Sequence, residues 1–390
     1  MVAPLAFIAA WARSAVVPRG GAFNALHPHQ IAAPVLQNLL QRVGLNPAAV
    51  DAVVLGNALG AGGNPARMLA LHAGLAEHCA AYTVDTQCCA GLDAVAMGAA
   101  LIASGQAHVV IAGGAEAWSR SPMRMHRPVH AGELPEPYER PSFAPTPKQD
   151  PDMLVSAAGY AATHGYTRAA QEAYAIQSHA QAIASQTELA SEIVPVAGVF
   201  HDAYPRHIAP ERAARMPTLA CADGMEPRMF GLSALTVSAQ ADGAALVLLM
   251  SAQACAQWQR SPAMSWSAHT SVGAAPQVPL LAAELAAHHV LQRMGNTPIH
   301  ALACVELHDA FAVQGLSFAK GLGLTPQQLN TQGGGLARGH PIGASGAVAL
   351  VRLLSRLDNL QASKAQGLVA VAGAGGLGSA AVVQKAGHVA

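Results

Sequence analysis

Apolar residues recur at helical spacing in IAAPVLQNLLQRVG (31–44) and PARMLALHAGL (65–75), and DAVVLGNAL (51–59) between them is an unbroken apolar run of strand length. The rhythm continues. AAYTVDT (80–86) predicts a strand, CCAGLDAVAMGAALIASG (88–105) a helix and AHVVIAGGAE (107–116) a further strand. Alternation of this kind predicts an α/β layer structure. The 88–105 helix is built largely from Ala and Gly, and each Gly costs about 1 kcal/mol of helix propensity relative to Ala, so it belongs in a closely packed interior. The apolar start LAFIAAWA (5–12), followed by Arg13 and SAVV, reads as a first strand leaving the core, and it lacks the basic region that precedes a signal-peptide core.

From Trp118 to about Phe230 the pattern breaks. PVHAGELPEPYERPSFAPTPKQDP is rich in Pro and polar residues, and helices are then predicted over 151–165 and 167–186, which suggests a segment inserted into the α/β framework. The framework resumes with strands at ALTVS (234–238), GAALVLLM (243–250) and MSWSAHT (264–270). A helix at 280–293, the strand ALACVEL (301–307) and helices at 311–323 and 345–358 follow, and two strands close the chain. The regions flanking the insertion share a strand–helix–strand rhythm, which points to a duplicated unit without a residue-level repeat. The expected division is an N-terminal half at 1–117 and 231–250, an inserted domain at 118–230 and a C-terminal half at 251–390.

Charge sharpens this picture. Of 390 residues only 11% are charged, where soluble domains carry roughly a quarter, while 52% are hydrophobic. The chain must fold compactly. Its 22 basic and 22 acidic residues balance, which argues against a nucleic-acid surface. So few charges favour hiding apolar surface between subunits. The six cysteines form no CxxC pair, so neither a disulfide framework nor a structural metal site is expected. No run reaches the ~20 apolar residues that span a bilayer, and a cytoplasmic location is the expectation.

Cys88, in VDTQCCAGLDAV, stands between a strand and the start of the small-residue helix, where unpaired backbone amides favour a thiolate. Cys89 competes for that role; successive side chains on a helix diverge by about 100°, so one faces a cleft while the other packs. Two histidines accompany them. His308 sits at a polar break in ACVELHDAFA, and His340 in NTQGGGLARGHPIGASG, whose glycines let backbone amides approach a ligand.

In order and spacing, NPARMLALHAGL (64–75), VDTQCCAGLDAV, AGGAEAWSRSPM (112–123), HDAFA (308–312), NTQGGGLARGHPIGASG (330–346) and VAGAGGLGSA (371–380) resemble the thiolase family. The resemblance covers essentially the whole chain. It implies a five-layered αβαβα fold of two similar halves with an inserted loop domain, a homodimer or homotetramer, and acyl-CoA and coenzyme A as substrates with no permanently bound cofactor. It matches Cys88 to the acylated nucleophile, Gly91 to the glycine three residues beyond, and His340 to the histidine that activates the thiol. His308 stands where many members have Asn, and there helps form an oxyanion hole; Asp309 follows where the related pattern has Glu. Gly375 and Gly376 match glycines of the C-terminal motif.

Two departures stand out. The family's second cysteine, an acid/base in a CxGGG motif, is replaced by Ala372, and Ala374 replaces a glycine. Alanine cannot move a proton, which leaves His308, Asp309 or, less simply, Cys304 to do so, or makes deprotonation unnecessary. The stretch TVSAQADGAA is about five residues shorter than in similar proteins, so contacts around Ser238 and Ala239 to pantetheine or acyl chain must differ. Arg206, Arg212, Arg215 and Arg228 are candidates for the CoA phosphates. The first expectation is a thiolase-like acyltransferase acting on 3-ketoacyl-CoA through an acyl-cysteine. The set Cys88, His308 and His340 also resembles that of ketoacyl synthases, which gives a decarboxylative or unusual Claisen enzyme as the alternative. A non-catalytic thioester-binding subunit with a heteromeric partner is the third.

Overall fold

A computed structural model of the chain describes residues 6–60 and 62–386, so Leu5 of the apolar opening lies outside the described residues. The first half comprises β1 (Phe7–Arg13), α1 (Pro28–Val43), β2 (Ala52–Gly56), α2 (Pro65–His72), β3 (Ala80–Val84), α3 (Ala90–Ala103) and β4 (Val109–Ala117). An excursion follows, with a hairpin of β5 (Arg124–His126) and β6 (Glu136–Tyr138) and the helices α4 (Met153–Thr163) and α5 (Arg168–Ala184). β7 (Ala241–Met250) returns to the first half. The second half is β8 (Met264–Gly273), α6 (Ala282–Arg293), β9 (Cys304–His308), α7 (Ala312–Gly321), α8 (Ser345–Asn359), β10 (Gln366–Gly373) and β11 (Leu377–Lys385).

Strand pairing shows the duplication. In the first half β1 pairs antiparallel with β7, β7 antiparallel with β4, and β4 parallel with β2, which pairs parallel with β3. In the second half β8, β11, β10 and β9 repeat that order and those directions without the outermost strand. The two sheets join through a short contact, Phe7 with Ser265 and Ile8 with Met264, to make a ten-stranded mixed sheet that includes the short strand Val17–Pro18. α1 and α2 cover one face of the first sheet, α6 and α7 the outer face of the second, and α3 and α8 lie buried between them. This is a five-layered αβαβα arrangement.

Small residues make the middle layer possible. A Cβ on Gly91 would meet the Gly343 carbonyl at 2.8 Å and Ala347 Cβ at 3.0 Å, so the starts of α3 and α8 approach each other only because that position is glycine. Burying the apolar side chains of this layer, at ~25 cal/mol per Å², is the main force holding the two sheets together.

Two expectations are corrected. ALTVS is not a strand: Leu232–Ser233 is extended, the chain then turns, and only Val237 makes a bridge, to Phe311. This segment lines a cleft instead of joining a sheet. Arg13 does not leave the core. It is fully buried, donating to Glu192 Oε1 at 2.6 Å and to both oxygens of Asp202 at 2.7 and 2.9 Å, because residues 192–202 fold back over the end of β1. A charge so deeply buried is tolerable only when paired in this way. Among the described residues, no helix is long and apolar enough to cross a membrane.

Candidate active site

The two buried helices begin side by side, and the residues just before them make the site. Cys88 lies in the tight turn Gln87–Cys89 that leads into α3. His340 lies in the segment that leads through Ile342–Ala344 into α8. Cys88 Sγ is 3.2 Å from His340 Nε2, and His340 Nδ1 is 2.8 Å from Ser345 Oγ. For Nε2 to accept the thiol proton, Nδ1 must carry the ring hydrogen and Ser345 Oγ must accept it. Ser345 therefore sets the productive tautomer.

The His340 backbone is fixed on both sides. Its N–H donates to the Ala239 carbonyl at 2.7 Å, and its carbonyl accepts from Trp118 Nε1 at 3.0 Å. Gly339, at φ +115°, supplies a backbone turn that an L side chain rarely adopts. Glu116 anchors the next turn: Oε2 accepts from Gly343 N at 3.0 Å, from Ala58 N at 2.9 Å and from Leu59 N at 3.3 Å, while Oε1 accepts from Asn57 Nδ2 at 2.6 Å. Burial nevertheless lifts Glu116 to about 7.

Burial also sets the electrostatics of the pair. It pushes the Cys88 thiol up to about 12, against the lowering effect of the backbone amides of Ala374 and Cys88 that face the sulfur. The same burial holds His340 down at about 4. At neutral pH the pair therefore rests as thiol and neutral imidazole, 3.2 Å apart, within reach for the proton to pass as the sulfur attacks. The two amides that face the sulfur are placed to meet negative charge developing beside it.

A cleft of about 420 Å³ opens over this pair, lined by Cys88, His340, Ala372, Ala374, Trp118 and Ser238, with Met153, Leu154, Leu219, Leu280 and Phe311 as apolar walls. Cys89 turns away: its sulfur lies 3.6 Å from the Val371 carbonyl within the core. The structure thus separates two cysteines that their adjacency alone left open and that the family resemblance resolved toward Cys88. Cys304 is buried on β9 and does not line the cleft.

The other expected site residues divide. His308 stacks on His340, ring centroids 4.5 Å apart; it is buried, its Nε2 has no hydrogen-bond partner among the described residues, and it lines a small void with Gly335, Arg338 and Ser345. Asp309 is fully buried as a strut: Oδ1 accepts from Gly335 N at 2.5 Å and Oδ2 from the Tyr174 hydroxyl at 2.9 Å. Neither the His308 nor the Asp309 side chain is among those lining the cleft, as Cys88 and His340 are. Ser238 lines the cleft and donates to the Gly335 carbonyl at 2.7 Å, whereas Ala239 contributes its carbonyl to His340. Gly375 and Gly376, at φ +77° and +80°, form the turn between β10 and β11 that presents the Ala374 amide. Arg215 and Arg228 are exposed and do not line the cleft; its arginines are Arg124 and Arg140. Sequence reading missed Ser345, Trp118 and Glu116. Each lay inside a quoted motif, but only folding brings them to His340.

Fold and site together define an acyltransferase of the condensing type, with its reacting groups at the junction of two α/β halves. Residues 6–253 match the thiolase N-terminal domain and residues 261–385 the thiolase C-terminal domain. The chain is 32% identical to a Staphylococcus aureus protein named as acetyl-CoA C-acetyltransferase VraB, over 97% of this chain and 99% of that one. Its structure is similar to that of the Bacillus anthracis acetyl-CoA acetyltransferase, with a TM-score of 0.89 at 27% identity, covering 98% of this chain and 99% of that one. It is also similar to Acat5 thiolase from Ascaris suum in complex with coenzyme A, with a TM-score of 0.85 at 26% identity, covering 97% and 99%. The chain belongs to the thiolase family and is a thiolase-like acyltransferase.

Proposed function

We propose that the protein exchanges acyl groups between a 3-ketoacyl-CoA and coenzyme A through an acyl group carried on Cys88. The observation that carries this reading is the 3.2 Å approach of Cys88 Sγ to His340 Nε2 at the bottom of an apolar cleft. His340 takes the thiol proton, and the thiolate attacks the 3-keto carbon, with the developing alkoxide held by the amides of Cys88 and Ala374. The C2–C3 bond breaks and leaves a shortened acyl group on Cys88 and the enolate of acetyl-CoA. Ala372 lines the cleft and has no proton to give. His340, now carrying the thiol proton, returns it to the enolate carbon. Coenzyme A then loses its thiol proton to His340 and attacks the acyl-cysteine, and the released Cys88 thiolate regains that proton. One histidine closes the cycle.

The direct test supplies acetoacetyl-CoA and coenzyme A and measures acetyl-CoA. Thiolysis is expected; carbon dioxide release from malonyl-CoA without thiolysis would overturn this reading in favour of a decarboxylating synthase. His308 is not among the residues that line the cleft with His340, which speaks against a synthase-type pair of substrate-facing histidines. Ser238 and Phe311 would flank the pantetheine arm, with the exposed Arg215 and Arg228 available to the phosphates.

A homodimer is part of the same proposal. β3 ends the sheet order and has no second partner strand among the described residues. Tyr82 on it and Met68, Leu71 and Met97 on the flanking helices are 44–48% exposed. An uncovered apolar sheet edge of this kind suits a second copy of the same chain.

A further inference from the structure

The cleft does not end at the reacting pair. Leu59, Trp118, Arg124 and Glu139 line both the main cleft and a second chamber of about 330 Å³ under the β5–β6 hairpin, so the two are continuous. A chain attached at Cys88 and directed this way runs along Leu59 and the Trp118 indole beside the charged groups Arg124 and Glu139. Two guanidiniums line the chamber. Arg124 donates one hydrogen bond to the Leu59 carbonyl at 2.6 Å, and Arg19 donates one to Gln240 Oε1 at 3.0 Å with its guanidinium 5.9 Å from the Trp118 ring centroid. Both partners are neutral. Among the described residues neither arginine is paired with a carboxylate, whereas Arg140 of the main cleft is held by Asp150. Among the described residues that line the chamber Glu139 is the single carboxylate, and Asp242, outside the lining, is near enough to Arg19 to feel its charge, which leaves Arg124 as the cation with no carboxylate but Glu139 beside it. Each guanidinium has five N–H donors in a fixed fork suited to a carboxylate, and only one donor of each is engaged.

We infer that this chamber is an acyl-tail subsite selecting thioesters whose chain ends in a carboxylate, with Arg124 and Arg19 reading that terminal group. This rests on the acyl-cysteine reading for the direction of the chain, since it is Cys88 that anchors the other end. Leu59 and Trp118 suit methylene groups, and the half-buried Arg124, with the exposed Arg19, offers a terminal carboxylate charged donors that a neutral tail cannot use.

The test compares dissociation constants of Cys88→Ala protein for succinyl-, glutaryl-, adipyl- and pimelyl-CoA with those for neutral acyl-CoAs of equal chain length. At one length the carboxylated thioester is expected to bind at least about 10-fold more tightly, as for a hydrogen bond to a charged group. In Arg124→Gln and Arg19→Gln that ratio is expected to collapse toward one, and in Glu139→Gln to widen. Equal binding at every length, or a preference that survives both arginine substitutions, would overturn the inference. So would an equal loss of affinity for free coenzyme A in Arg124→Gln, which would assign the cations to its phosphates. If the preference holds while wild-type protein transfers no acyl group, the subsite stands and the proposed reaction falls.

Discussion

The ends of β4 and β10, equivalent strands in the two halves, do opposite work. β4 ends in Glu116 and Ala117, followed by Trp118, and these side chains brace the segment of the other half that carries His340. β10 ends in Ala372 and Gly373, followed by Ala374, and it offers Cys88 only a backbone amide and a methyl wall. One half holds the base in place through side chains; the other meets the nucleophile with main chain alone. The difference concentrates proton transfer on His340, because the strand end facing Cys88 contributes no ionisable group.

His340→Gln is the harshest test of that asymmetry. Loss of the general base is expected to slow acylation by about 10³-fold, within the range such groups contribute, as measured by rapid quenching and mass spectrometry. The pH dependence of the same rate comes next. With His340 near 4 and the thiol near 12, the acylation rate is expected to stay flat from pH 6 to 9. Below about pH 4 it should fall roughly tenfold per pH unit, because protonated His340 cannot accept the thiol proton. Because Glu116, which anchors the turn after His340, itself titrates near 7, a limb centred there contradicts a neutral resting pair only if it persists in Glu116→Gln.

Ala372→Cys sharpens the comparison from the other side by giving the β10 end a proton carrier. Exchange of the acetyl-CoA methyl protons with deuterated water is expected to rise about 10-fold or more. No increase would mean that His340 already reaches the α-carbon without help. Glu116→Gln has the smallest expected effect. Glutamine cannot accept all four N–H groups that converge on the carboxylate, so unfolding in urea should show a loss of about 1–3 kcal/mol. Since burial lifts Glu116 from 4.5 to about 7, the folded chain holds a proton there that the unfolded chain releases. Wild-type stability from this group therefore falls as pH rises from 4.5 to 7, and Glu116→Gln should lack that slope.

Periodicity made the framework readable, because helices such as α1 and strands such as β4 are defined by local apolar spacing. ALTVS misled for the same reason: it has the composition of a strand, but Val237 and Ser238 are held by the 310–311 and 335 segments, which no local pattern reveals. Cys88 and His340 were legible as chemistry. The choice between Cys88 and Cys89 came only from the family resemblance and not from the pair's local pattern, since it depends on which sulfur meets Val371 of the opposite half. The setting of His308 is likewise tertiary: Gly335 passes so close that a Cβ there would meet the imidazole at 2.7 Å.

The most direct measurement is the intact mass of the protein after brief exposure to acetoacetyl-CoA without free coenzyme A. The wild type and Cys89→Ser are expected to gain one acetyl group and Cys88→Ser none. An unmodified wild type, or an adduct that persists in Cys88→Ser and disappears in Cys89→Ser, would contradict Cys88 as the acyl carrier.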